Sequence, residues 1–199
     1  HFMQLVRTTY LSLGSNLGNK FENLQLAINL IAEKMGVIVK ISPVYKTASW
    51  GFESEEFYNI CIQVSTSLNP ENILIAIQET ERSIGRNRTT EEGYQARTID
   101  IDVLLFDNEI IFSKELIVPH KEMLKRKFVL VPLAEIAPNF IHPIEKQRIQ
   151  VCLANCEDNN TIEKLDLKLK KPISLSEKYN YIAIEGNIGA GKTTLASKI

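Results

Sequence analysis

Thr98-Ile99-Asp100-Ile101-Asp102-Val103-Leu104-Leu105-Phe106 decides the fold, because these nine residues are rich in β-branched and large apolar side chains and alternate apolar with polar over their first half. Successive strand side chains point to opposite faces, so Ile99, Ile101 and Val103 share one face while Thr98, Asp100, Asp102 and Leu104 share the other. The apolar face belongs to a core. The opposite face carries two carboxylates about 7 Å apart along the strand, which repel one another if left alone. Two solvated surface acids are one reading of this pattern. The other is joint ligation of two magnesium ions about 4 Å apart, since magnesium takes hard oxygen ligands and keeps room for water and phosphate. The flanking residues favour the second reading. Arg97 stands just before the strand, with Arg86 and Arg88 on the loop leading to it. Guanidinium groups grip phosphate oxygens in pairs and stay charged, so these five residues together describe a charge-compensated site for a nucleoside triphosphate.

Outward from this strand, Asp107-Asn108 predicts a turn and Glu109-Ile110-Ile111-Phe112 its hairpin partner. Gly85 to Ala96 is polar and aperiodic, long enough to predict a lid and not a plain connector. Upstream, Thr9 to Ser15 reads as a strand running into a Gly14-Ser15-Asn16 turn. Asn19 and Glu22 form a capping-box-like pair ahead of a helix with Leu24, Ile28, Ile31 and Met35 on one stripe, stopped by Gly36. Val37 to Ile41 and Phe57 to Ser65 are further strands, with a loop between them. Asn69-Pro70-Glu71 opens a second helix carrying Ile73, Ile77 and Ile84. Beyond Val118-Pro119-His120 come a short helical stretch, the apolar run 128–136 and a last helix over about 145–155. Two long helices with hairpin-connected strands predict an α+β layered fold on an antiparallel sheet.

Composition narrows the function. The chain has 199 residues, 44% hydrophobic and 24% charged, as in ordinary globular proteins, and its formal net charge of -1 provides no overall field for nucleic acid or an anionic membrane. Cys61, Cys152 and Cys156 read as free thiols of a reducing compartment. No apolar run approaches the ~20 residues of a membrane span, so the expectation is a cytoplasmic protein. His1, Phe2 and Met3 read as an expression remnant and play no part in the fold argument.

From about Thr9 to Glu163 the sequence resembles the 6-hydroxymethyl-7,8-dihydropterin pyrophosphokinases of folate biosynthesis. The order and spacing of Gly14-Ser15-Asn16, Ser42-Pro43-Val44-Tyr45-Lys46-Thr47, Phe57-Tyr58-Asn59, Gly85-Arg86, the run 97–106, Val118-Pro119-His120, Pro132-Leu133 and Ile136-Ala137-Pro138 carry the resemblance. It implies a ferredoxin-like α/β/α sandwich that binds ATP with two magnesium ions and then a reduced pterin, both small molecules. By position it implies Asp100 and Asp102 as metal ligands, and Arg86 and Arg97 as loop arginines that stabilise the transferred group. It further implies Gln78, Glu81, Arg88, Val103, His120 and Arg126 along the nucleotide, and Thr47, Trp50, Asn59 and Phe128 around the pterin. A flat heteroaromatic substrate needs such stacking faces and a few fixed polar groups. Taken alone, Trp50 and Phe128 read as plain core packing. Departures are Tyr94-Gln95-Ala96 in place of Trp-Gly-Pro, a lid one residue longer, Trp50 for an aliphatic residue and Lys121 for tyrosine.

The domain reading is a pyrophosphokinase unit over 4–163, a linker over 164–180 and a tail over 181–199, with room for one short strand at Ile162 to Leu169, where apolar and charged residues partly alternate. In that tail a strand precedes Gly186-Asn187-Ile188-Gly189-Ala190-Gly191-Lys192-Thr193, which fits the phosphate-binding loop pattern. The tail resembles the start of a deoxynucleoside kinase and suggests a fusion. Without a parallel sheet around it, the expectation is that it is inactive here. Two other readings of the whole remain: a nucleotidyltransferase attacking the α-phosphorus, and a non-catalytic RNA-binding sheet.

Overall fold

The computed structural model describes residues 5–48, 56–85 and 98–174. Strand β1 (Arg7–Ser15) leads into helix α1 (Lys20–Lys34), where Asn19 caps the first turn by accepting the N–H of Glu22 at 3.1 Å. Strands β2 (Gly36–Ile41), β3 (Tyr45–Thr47) and β4 (Phe57–Thr66) follow. Helix α2 (Pro70–Ser83) then starts at Asn69, whose side chain accepts from Asn72, with proline in its first turn. Strand β5 (Asp100–Phe106) closes the repeat.

One antiparallel sheet runs in the order β5-β1-β4-β3, and β2 pairs with the far end of β4. The loop expected between β2 and β4 therefore contains a strand. β2 and β3 form one broken edge, and Ser42 bridges the break by giving its N–H to Cys61 O and accepting from Cys61 N, both at 2.9 Å. Three residues are too short for alternation to announce a strand. Gly36 is fixed by close approach: a Cβ there would lie 2.1 Å from Ser65 O.

Helices α1 and α2 cover one face, burying Leu24, Ala27, Ile28, Ile31, Ile73 and Ile77 against Leu11, Leu13, Ile60, Ile62, Val64, Ile101 and Val103. Burying one such aliphatic side chain stabilises the fold by about 1.5–3 kcal/mol. Helix α3 (Lys127–Ile136) and the short α4 (Ile149–Ala154) cover the other face over Tyr10, Cys61, Leu104 and Leu105. The layers are thus α/β/α. Among the described residues no helix is long and apolar enough to cross a membrane.

Three expectations need correction. Ile111–Phe112 (β6) pairs with Ile117–Val118 (β7), not with β5. The reason lies at the turn: Asp107 takes a positive φ of 43°, its carboxylate accepts from Thr8 N, and Arg7 binds both Asp107 and Glu109. The outer edge of β5 goes instead to the segment after β7, where His120 N donates to Leu104 O at 2.9 Å. The last helix covers only 149–154, because 142–148 is a tight turn in which His142 accepts from Lys146 N and donates to Gln147 O. Finally, the short strand read at 162–169 is present over its first three residues, and the segment after it, read as a linker, packs on the domain as far as it is described. Strand β8 (Ile162–Lys164) pairs with β3, and Leu165, Leu167 and Leu169 pack against the α1/α2 core. Gln25 then ties down Lys170 through two hydrogen bonds.

Candidate active site

The register of three strands builds the site. Gly14 of β1 pairs with Asn59 of β4 on one side and Asp100 of β5 on the other, and Ser12 pairs likewise with Cys61 and Asp102. Directly opposed residues share a face, so Asn59, Gly14 and Asp100 form one row, and Cys61, Ser12 and Asp102 the next. The burial of β5 follows the expected alternation: Ile101 and Val103 are buried on the α1/α2 side, while Asp100 and Asp102 are half-buried on the other.

Alternation fails after Leu104, because Tyr10 pairs with Leu105 while Leu11 pairs with Val103, leaving one extra residue in β5. Leu104 and Leu105 therefore both turn toward α3, and Phe106 returns to the α1/α2 core. Helix α3 covers the leucine end of this face. Its Val129 carbonyl accepts from Cys61 Sγ, and its first residue, Lys127, donates its N–H to Asp158 at 2.9 Å. The rows carrying Asn59 and Asp100 lie beyond Cys61 and Ser12, toward the other end of the strands.

His120 meets Asp102 across the β5 edge, with Nε2 3.9 Å from Oδ2. His120 Nδ1 accepts the N–H of Glu122 at 3.2 Å, which leaves the ring proton on Nε2, facing the carboxylate. Burial holds this histidine below its ordinary pKa; Asp102 opposes that effect and Arg126 adds to it. The Arg126 guanidinium also lies 5.8 Å over the Phe128 ring, which joins Phe128 through Arg126 to the surroundings of His120.

At the opposite end of the row, Asn59 Nδ2 donates to Thr47 Oγ1 at 2.9 Å, and both side chains are buried. Phe57, which the residue-level reading left out, stands on this same face, paired with Thr47 and two positions from Asn59. Its place beside Asn59 at period 2 was the available signal.

Two residues assigned to the nucleotide have other surroundings. Glu81 is buried and accepts the backbone N–H of Ile101 at 3.1 Å, bracing the outer edge of β5 between the two aspartates. Val103 places its side chain in the α1/α2 core, which leaves its backbone as the part a ligand can meet. Gln78 is exposed on α2, one turn before Glu81. Arg86, Arg88, Arg97, Trp50, the lid and the phosphate-loop tail lie outside the described residues.

A half-buried pair of carboxylates with a neutral imidazole donor behind it fits magnesium, which commonly takes one or two protein carboxylates and fills its other positions with water and phosphate oxygens. Soft or nitrogen-rich sites for zinc or copper are not built here; no group of three or more His, Cys, Asp or Glu side chains able to hold a metal occurs among the described residues.

Residues 10–138 match the family model described as 7,8-dihydro-6-hydroxymethylpterin-pyrophosphokinase (HPPK). The chain belongs to the HPPK family. Among similar proteins, the 2-amino-4-hydroxy-6-hydroxymethyldihydropteridine pyrophosphokinase of Aquifex aeolicus is 42% identical over 144 residues, covering 72% of this chain and 88% of the relative. The protein of the same name from Bacillus subtilis is 43% identical over 129 residues, covering 64% and 76%. A folic acid synthesis protein of Dictyostelium discoideum is 40% identical over 150 residues, only 22% of its length, so an HPPK-like unit recurs there inside a longer chain. In structure, the chain resembles a Plasmodium falciparum HPPK-DHPS with a TM-score of 0.65 at 17% identity, covering 75% of this chain and 44% of that one. That likeness establishes the ferredoxin-like sandwich.

Proposed function

We propose that this chain transfers the terminal diphosphate of ATP to the hydroxymethyl group of 6-hydroxymethyl-7,8-dihydropterin, releasing AMP, as a step of folate biosynthesis. The observation that carries the reading is the row Asn59, Gly14, Asp100, within a chain whose relatives bear the pyrophosphokinase name. One end of the row offers a buried amide suited to a heterocycle edge, and the other offers a carboxylate suited to a metal-bound polyphosphate.

In this mechanism the pterin enters with its ring edge at Asn59 and Thr47 and its faces against Phe57 and Phe128. Asn59 is held by Thr47, so the amide is oriented before the substrate arrives, which reduces the ordering cost of binding. The hydroxymethyl oxygen then attacks the β-phosphorus in line and AMP departs. Asp100 and Asp102 would hold two magnesium ions, which when bound supply Lewis-acid neutralisation of the phosphate charge. His120 presents its Nε2 proton on the side of Asp102, 3.9 Å from Oδ2, where it adds favourable partial charge beside that carboxylate. Arg86 and Arg97 offset charge on the transferred group, while Arg88, Arg126, Gln78 and the backbone of Val103 line the nucleotide. None of the described side chains is a strong base aimed into the cleft, so positioning and electrostatics supply most of the acceleration.

The test is incubation of the chain with ATP, magnesium and the hydroxymethyl-dihydropterin. AMP and a pterin diphosphate are the expected products; free pyrophosphate with a nucleotidylated acceptor would establish the nucleotidyltransferase reading instead. The tail from residue 181 is proposed to open a second, phosphate-loop kinase unit of a longer polypeptide, a reading that rests on sequence pattern alone.

A further inference from the structure

We propose that Gly14 is a specificity-determining residue for the pterin: the side chain it lacks leaves the strip of bare sheet on which the ring lies between Asn59 and Asp100. The inference rests on the activity proposed above and deepens it, by giving a role to a residue without a functional group.

Gly14 is the last residue but one of β1 yet still inside the ladder, where glycine is unfavourable because it adds backbone freedom to the unfolded chain and packs nothing. A left-handed backbone would explain it, but Gly14 is not among the glycines of positive φ, and its ladder continues unbroken to both neighbours. Jammed packing would also explain it, yet Gly14 is only half-buried. A Cβ built there stands 3.1 Å from Asn59 Oδ1 and 3.7 Å from Phe57 Cδ1, with no other described atom within 4 Å. Among the described residues, the space above Gly14 is therefore open except where it meets the two residues that face the pterin. Close approach of a ligand is the remaining reason for glycine in such a strand.

The geometry of the row makes this concrete. Asn59 and Asp100 are two inter-strand spacings apart, about 10 Å between their backbones. An acceptor held at one end and reacting at the other must cross Gly14. A methyl group at that position occupies the path and presses on the Asn59 amide. That amide cannot turn away without giving up its bond to Thr47 Oγ1, in a site where Asn59 is 3% and Thr47 8% exposed. ATP, approaching from the Asp102 side, does not need the strip.

The experiment compares wild type, Gly14→Ala and Gly14→Val by steady-state AMP release and by fluorescence titration with 6-hydroxymethylpterin, alongside thermal melting and ATP binding. In Gly14→Ala the pterin KM and Kd are expected to rise at least about tenfold, as for loss of one fitted contact. Its ATP KM is expected to stay near wild type and its melting temperature to hold or rise; Gly14→Val extends the pterin loss. An active wild type whose Gly14→Ala binds pterin with unchanged affinity overturns the inference alone, as does a variant losing ATP and pterin affinity together with its fold. A wild type that releases no AMP overturns the underlying activity instead.

Discussion

Glu81, in the last turn of α2, accepts the backbone N–H of Ile101, the one residue between Asp100 and Asp102, at 3.1 Å. β5 is an edge strand, so this N–H has no strand neighbour to pair with, and a buried carboxylate takes it in place of water. The bond fixes the height of the strand where both acids leave it. Replacing Glu81 by Ala should leave a buried donor unsatisfied and cost about 1–3 kcal/mol of stability. It should also raise the magnesium needed for half-maximal AMP release. Glu81→Gln, which keeps an acceptor, should recover most of both. Denaturant melts and a magnesium titration of each variant decide it; equal magnesium requirements in Ala and Gln would remove the positioning role.

Asp100→Ala and Asp102→Ala address the acids themselves. Both side chains are only half-buried, so folding should survive, with surface-like stability changes of about 0.5 kcal/mol. AMP release at saturating magnesium should fall by at least about 10²–10³-fold, the scale for losing a charge-stabilising group in a transition state. Turnover near wild type in either variant is the result that would break the proposed metal site.

His142 gives the folded domain a pH dependence away from the active site. Its Nδ1 accepts the N–H groups of Ile144 and Glu145, at 3.2 and 3.1 Å, and burial pushes its pKa below the ordinary value while Glu145 opposes that shift. The native state therefore prefers the neutral ring. The associated stability is intact above the unfolded-state pKa, roughly 6.5, and is lost as pH falls below it, by up to about 1.4 kcal/mol per pH unit. Urea melts from pH 7.5 to 5.5 should show a steeper decline for wild type than for His142→Asn, which keeps an acceptor but does not titrate. Parallel slopes would contradict this.

How much of this was legible in the sequence depended on how locally each feature is encoded. The two faces of β5, both long helices and their asparagine caps follow from alternation, 3.6-residue spacing and residue chemistry within a few positions, and the structure has them. β3 was missed because three residues carry no period; its pairing is fixed by Ser42 and by β8, more than a hundred residues away. The pairing of β6 was misassigned because Arg7, distant in sequence, holds the Asp107 turn in a shape that leads the chain off the sheet. At the site, residue types announced Asp100 and Asp102. The bracing role of Glu81 and the cleft position of Phe57 became apparent only once the register was known.

The strap after β8 supplies a last test. Ending the chain after Ser174 should leave AMP release unchanged, since every described residue that packs on the domain is retained. Ending it after Thr161 removes the β3 pairing and the Leu165, Leu167 and Leu169 contacts. Each lost leucine contact is worth about 1 kcal/mol or more, so the melting temperature should drop by several degrees. Because β3 carries Thr47, pterin KM should rise more than ATP KM. Identical melts for the two truncations would show the strap to be idle.

The extra residue opposite Tyr10 and Leu11 divides β5 into two segments with separate alignments. One segment keeps its acids in step with Ser12 and Gly14, and the other turns Leu104 and Leu105 toward the α3 layer. A bulge between the two segments separates the setting of the carboxylates from the packing of the α3 layer, so a volume change under α3 has a place to be taken up other than the acid-bearing rows.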